Sequence, residues 1–320
     1  MRLIAQENDR LGFVGIGYMG RPIARRLLES GFKLTAFDRD PNRAQEIVRY
    51  GGSVAHSIPE LSASCSVVLS CLPTDEAVLD TYRGADGVFA NVERGSLAID
   101  MSTVSPETAQ EVSRLGAEHG VEVLDVTISG STPAAENGLL TLFGGGNKEC
   151  FQGAKSIFRV IAQKYFYLGP SGSGATMKLV VNTLLGIGMQ AIAEAVALGE
   201  KAGLDRQRLL DVLSQTAVVA PAHLGKLQRA MKSDYSPQFP IRLMNKDFGL
   251  ILSLAATVGA HMPAAGAAFE INARQSDEGA EQDFSAVILQ MEKNGHSGSN
   301  GNRERDAVSC EASAPQRTSE

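Results

Sequence analysis

The sequence predicts an α/β protein in two parts, a parallel-sheet domain followed by an all-helical one. Three observations carry this. Short β-rich runs alternate with helical patterns from Leu11 to Leu168, as βαβ units on a parallel sheet do. A glycine-rich turn, Gly15-Ile16-Gly17-Tyr18-Met19-Gly20, joins the first strand to the first helix. After Gly169 the patterning is helical, beginning with one apolar helix of unusual length over residues 173 to 203. Two domains also suit 320 residues at roughly one domain per 100 to 200 residues.

In order, the expected strands are LGFVGIG, KLTAFD, VVLSCL, SLAID, VEVLDV, LTLFGG and YFYLG. Between them GRPIARRLLESG, NRAQEIVRYG and SPETAQEVSRLGAEHG read as helices. Beyond the long helix, Asp205 is an N-cap for DRQRLLDVLSQ, and Lys246 to Val258 and Pro263 to Gln275 carry helix-period apolar residues. FSAVILQMEK packs back on this part. The boundaries are then 11–169 for the sheet domain, 170–293 for the helical domain, and 294–320 for a polar, Ser/Gly-rich tail that reads as disordered. A helix as apolar as 173–203 must be sheathed by protein, here by the second domain and a partner subunit.

Composition narrows the function. A net charge of −6 argues against a nucleic-acid partner, which asks for a concentrated basic face. No segment offers about 20 uninterrupted apolar residues, so no membrane span is expected. Cys65, Cys71, Cys150 and Cys310 lack disulfide or zinc spacing, and a reducing cytoplasm fits. The five histidines show no metal spacing either, so no metal is expected.

Gly15, Gly17 and Gly20 fit G-x-G-x-x-G directly after a strand and directly before a helix. The first two glycines allow a tight turn and close backbone approach to a pyrophosphate, and the third lets helix and strand pack closely. The helix N-terminus offers N–H donors to phosphate. KLTAFD ends in Asp38, 18 residues beyond Gly20, where a carboxylate can accept from a ribose 2′-hydroxyl and favour NAD. Arg39 beside it suits the 2′-phosphate of NADP or an adenine stack.

With these motifs in place, the chain resembles the β-hydroxyacid dehydrogenase family over roughly Leu11 to Met291. GFVGIGYMGRPIARRL is similar to its dinucleotide signature, DVTISGSTPAAENGLLTLFGGG to its substrate block, GSGATMKLVVN to its catalytic helix and NKDFGLIL to its late lysine motif. The resemblance implies a Rossmann-type dinucleotide-binding domain, a long inter-domain helix and an all-α C-terminal domain, with a homodimer or homotetramer built through the helical half. It also implies reversible NAD(P)-dependent oxidation of a small β-hydroxy acid to its semialdehyde or keto acid.

By the same resemblance, Lys178 is the catalytic lysine, and Asn182, Ser129, Gly130 and the adjoining Ser131 bind substrate. Gly15 through Gly20, Asp38, Arg39, Leu72, Pro73, Thr103 and Lys246 contact the cofactor. The residue types suit the chemistry: hydride transfer from an alcohol needs a group to take the hydroxyl proton. A desolvated lysine near a cationic ring has a lowered pKa. Asn182 lies four residues after Lys178, on the same helical face.

Plainer readings stand beside these. On spacing alone Lys178 is a snorkelling side chain, Lys246-Asp247 a surface pair, and Ser129-Gly130 a turn. Asp100 and Asp125 read as strand-end caps without chemistry. The chain departs from the family at Asp125-Val126-Thr127-Ile128-Ser129-Gly130-Ser131, where Asp-Ala-Pro-Val-Ser-Gly-Gly is common, and at Val181, where the family often has asparagine. These departures leave the substrate open, and the Gly144-Gly145-Gly146 run has no reading in sequence. Imine reduction, 6-phosphogluconate oxidation and an inactive dinucleotide-binding scaffold are the alternatives; Lys178 counts against the first, where aspartate or tyrosine is usual.

Overall fold

A computed structural model describes residues 4–5, 9–274 and 277–294. The tail expected over 294–320 lies outside the described residues beyond Asn294, as does the expected helix end at Gln275. The sheet-bearing part runs β1 (Arg10–Val14), α1 (Gly20–Glu29), β2 (Lys33–Phe37), α2 (Pro41–Gln45), β3 (Ser53–Val54), α3 (Ile58–Ala63), β4 (Val67–Ser70), α4 (Asp75–Tyr82) and α5 (Val88–Asn91). It continues with β5 (Leu97–Asp100), α6 (Pro106–His119), β6 (Glu122–Ser129), α7 (Thr132–Glu136), β7 (Leu140–Gly146), α8 (Lys148–Gly153), α9 (Lys155–Ile161) and β8 (Ala162–Gly169).

These strands form one sheet in the order β3-β2-β1-β4-β5-β6-β7-β8. Its first six strands are parallel, a Rossmann-type arrangement, but β7 runs antiparallel to β6, which corrects the expectation of a purely parallel sheet. Connection length explains the reversal. Only residues 130–139 separate β6 from β7, and a parallel crossover needs about a dozen or more. Both faces are covered: Leu11 and Phe13 pack with Ile23 and Leu27 of α1, while Val14 packs on the other side with Val78 and Val88.

The helical part begins with α10 (Ser173–Lys201), followed by α11 (Arg206–Ser214), α12 (Pro221–Met231), α13 (Ile241–Val258), α14 (Pro263–Ala273), α15 (Asp277–Ala280) and α16 (Val287–Asn294). Asp205 caps α11 as expected, accepting from the Arg208 N–H at 2.9 Å. The helix expected from Lys246 begins five residues earlier, at Ile241, directly after Pro240.

Contrary to expectation, α10 has the length and mean hydropathy, 1.6, of a membrane span. It is nonetheless a core helix. Its first turns lie on β6 and β7, and Met189, Ala193 and Val196 pack in a cluster with Met244, Phe248 and Ile288. One apolar face is uncovered: Val180, Leu184 and Leu198 are 51%, 73% and 72% exposed.

Candidate active site

The glycine turn is shaped by close approach. Gly15 has φ +93°, and a Cβ on Gly20 would stand 1.9 Å from the Gly15 carbonyl oxygen, so neither position accepts a side chain. Gly17 faces open space, with nothing within 4 Å of where its Cβ would be. That gap at the start of α1 leaves room for a phosphate, and the turn fits a dinucleotide. Ile16 is buried beneath it, Met19 packs against the sheet core, and Tyr18 is exposed.

Asp38 braces this turn. Its Oδ2 accepts from the Ile16 N–H at 2.8 Å and its Oδ1 from the Asp40 N–H at 2.9 Å. Each oxygen keeps a lone pair for a ribose hydroxyl. Arg39 is exposed and makes no hydrogen bond or ion pair with the described residues.

Leu72, Pro73 and Thr103 follow β4 and β5, whose ends are tied by a buried relay. Asp100 Oδ1 accepts from the Ser70 and Ser102 hydroxyls, each at 2.6 Å. Having donated that proton, Ser102 Oγ accepts from the Leu72 N–H at 2.9 Å, so one carboxylate spaces both loops. Tyr82 Oη completes the relay at 2.7 Å from Ser70 Oγ. Burial pushes Asp100 up to about 6 against the pull of these hydroxyls, and burial likewise holds the Cys71 thiol at about 12.

Lys178 and Asn182 share a face of α10, one turn apart. Lys178 is partly buried and has no hydrogen bond or ion pair to any described residue. Burial lowers its pKa to about 8; the Asp247 carboxylate opposes that shift and the Lys246 ammonium adds to it. Asn182 is buried, and its Nδ2 donates to Asp247 Oδ2 at 2.6 Å while its Oδ1 has no hydrogen-bond partner among the described residues.

Asp247 is 1% exposed, so the surface-pair reading of Lys246-Asp247 is corrected. Lys246 Nζ lies 2.8 Å from Asp247 Oδ1, close enough for an ion pair but off the line of a hydrogen bond, since that oxygen has no hydrogen-bond partner. The same ammonium donates to the Thr103 carbonyl, which joins the helical part to a loop of the sheet. Sequence reasoning missed Asp247 as a site residue. The signal was present: Met244, Phe248 and Ile251 mark the buried face of α13, and position 247 lies on it.

Ser129 ends β6, Gly130 follows with φ +139°, and Ser131 precedes α7 without capping it. Neither the Ser129 nor the Ser131 hydroxyl bonds a described residue, which leaves both for a ligand. Behind them, Asp125 accepts from the N–H groups of Gly172 and Ala175, both at 3.0 Å, and so caps the start of α10. The strand-end reading is thereby corrected: Asp125 lies within β6, and it caps not the helix that follows but α10, whose N-cap Gly172 is 47 residues on. Burial raises the Asp125 pKa, and those N–H donors oppose the rise.

The glycine run left without a reading serves this crossing. A Cβ on Gly145 would meet Asp125 Oδ1 at 2.6 Å, and one on Gly174 would meet the Asp125 and Phe143 carbonyl oxygens at 2.4 and 2.5 Å. Small residues on both sides let α10 seat directly on the sheet.

The structure thus gathers Lys178, Asn182, Lys246 and Asp247 in one cluster, joined to the loop after β5 through Thr103. Ser129, Gly130 and Ser131 lie at the end of the strand that caps α10. The arrangement offers an amine with a depressed pKa, an amide oxygen for a hydroxyl and an open glycine turn for phosphate.

Comparisons with known proteins agree with this layout. The family pattern described as the NAD binding domain of 6-phosphogluconate dehydrogenase matches residues 10–169. That described as NAD-binding of NADP-dependent 3-hydroxyisobutyrate dehydrogenase matches residues 172–291. Glyoxylate/succinic semialdehyde reductase 1 of Arabidopsis thaliana is 36% identical over 87% of this chain and 96% of its own. A 3-hydroxyisobutyrate dehydrogenase of Pseudomonas aeruginosa is 35% identical with the same coverage. Among solved structures, a Mycobacterium tuberculosis 3-hydroxyisobutyrate dehydrogenase with L-serine superposes with a TM-score of 0.77 at 33% identity, covering 88% of this chain and 99% of that one.

Proposed function

The chain belongs to the β-hydroxyacid dehydrogenase family, whose members are NAD(P)-dependent dehydrogenases of hydroxy acids, and on that premise we propose that it reversibly oxidises a small β-hydroxy carboxylic acid to its semialdehyde or keto acid. The observation that carries the reading is Lys178: an amine with a pKa of about 8, no hydrogen bond or ion pair among the described residues, and Asn182 one turn away. In oxidation Lys178 takes the hydroxyl proton while hydride leaves the carbinol carbon; in reduction it returns the proton. Bound nicotinamide supplies the hydride acceptor.

Asp247 holds the Asn182 amide so that Oδ1 is free to receive the substrate hydroxyl. Ser129, Gly130 and Ser131 receive the carboxylate. Gly15 through Gly20, with Leu72, Pro73 and Thr103, hold the dinucleotide, and Lys246 stands beside them. The carboxylate of Asp38 favours NAD, and the exposed guanidinium of Arg39 gives NADP a partner.

The proposed division at 11–169 and 170–293 is supported by the family matches to residues 10–169 and 172–291. The uncovered apolar face of α10 supports a homo-oligomer through the helical half. The free thiols of Cys65, Cys71 and Cys150 suit a reducing, cytoplasmic setting.

Purified protein assayed with NAD and NADP against β-hydroxy acids of varied chain end tests the reading through the absorbance of reduced nicotinamide. At least one acid is expected to turn over. Tight cofactor binding with no turnover of any acid would leave the inactive scaffold.

A further inference from the structure

We propose that Thr127 is a positioning residue for Lys178, acting through the backbone of Gly174. The inference rests on the reading of Lys178 as the proton-transfer group. Residues 125, 127 and 129 project from one face of β6, because side chains alternate along a strand. Each has its own task. Asp125 caps the N–H groups of Gly172 and Ala175, and Ser129 ends at the substrate turn.

Between them, Thr127 Oγ1 donates to the Gly174 carbonyl at 2.8 Å, with the Phe143 carbonyl further off at 3.4 Å. Thr127 is 1% exposed, so water does not compete for this bond. Within α10 the Gly174 carbonyl is also the acceptor, four residues back, for the Lys178 N–H. A carbonyl oxygen has two lone pairs and serves both donors.

Asp125 alone fixes donors that point out of the helix end. Thr127 adds a bond to a carbonyl that points along the axis, toward Lys178. These three bonds, in two directions, fix both the depth and the rotation of the first turn. The strand that presents Ser129 therefore also sets where Lys178 stands. The threonine where the family commonly has proline has a role behind the substrate turn, as a fastening of the lysine's helix.

Thr127→Val removes the donor at nearly constant volume and leaves both Asp125 bonds. Its kcat is expected to fall about tenfold, as small misplacements of a reacting group do. Cofactor Kd should stay within about twofold, the pH midpoint of kcat should shift, and Thr127→Ser, which keeps the hydroxyl, should recover most of the rate. A wild-type kcat in Thr127→Val, or Thr127→Ser as slow as Thr127→Val, overturns the proposal.

Amide hydrogen exchange supplies a readout without turnover. In Thr127→Ala, exchange through residues 173–178 should quicken while β4 and β5 keep their protection; unchanged exchange there overturns the proposal. If the wild-type protein oxidises no hydroxy acid, the reading of the reaction fails, and the exchange experiment still decides whether Thr127 fastens the helix.

Discussion

Lys178 owes its lowered pKa first to burial, and the nearby Lys246 ammonium works in the same direction against Asp247. A pKa lowered to about 8 means the amine is a free base above that pH and an ammonium below it. Oxidation uses the base, so its kcat should rise as pH climbs through about 8; reduction uses the acid, so its kcat should fall over the same interval. Stopped-flow rates in both directions check this, and profiles that move together would refute it. At this scale local spacing put Lys178 and Asn182 on one helical face but read the lysine as snorkelling; it was the family resemblance that singled the pair out. The sequence concealed Asp247, because a charged residue beside a lysine looks solvated until the buried face of α13 is traced through Met244, Phe248 and Ile251. Thr127 was concealed for another reason: its partner, Gly174, is 47 residues away.

Elements were legible where their signal is periodic and isolated. The glycine turn announced both the end of β1 and the start of α1, and Asp205 announced α11. The reversal at β7 was not announced, since apolar alternation carries no direction; only the short connection after Ser129 betrays it. The two-residue β3 and the short helices α3, α4 and α5 are too brief for a periodic signal, and capping side chains define two of them. Ser57 accepts from the Glu60 N–H, and Thr74 from the Ala77 N–H. Gly145 and Gly174 work as a pair on different elements, so neither has meaning until sheet and helix are brought together.

For the whole molecule, the arrangement sets the glycine turn and the Asp100 relay on the sheet and the helix that carries Lys178 across its edge, with Lys246 to Thr103 linking the two parts. The stripe of Val180, Leu184 and Leu198 remains uncovered on α10. If it is the contact between copies, wild-type protein should sediment at a multiple of the 33.9 kDa chain mass, and a Leu184→Glu/Leu198→Glu variant should sediment at that mass. Wild-type protein at the monomer mass would remove the oligomer from the account.

The central claim is that Lys178 moves the proton. Its most direct test is the steady-state kcat of Lys178→Met beside wild type, on the best hydroxy acid, with cofactor affinity measured on the same preparations. The expected result is a loss of about 10²- to 10⁴-fold in kcat with cofactor Kd unchanged. A folded, cofactor-binding Lys178→Met that turns over within about threefold of wild type would contradict it.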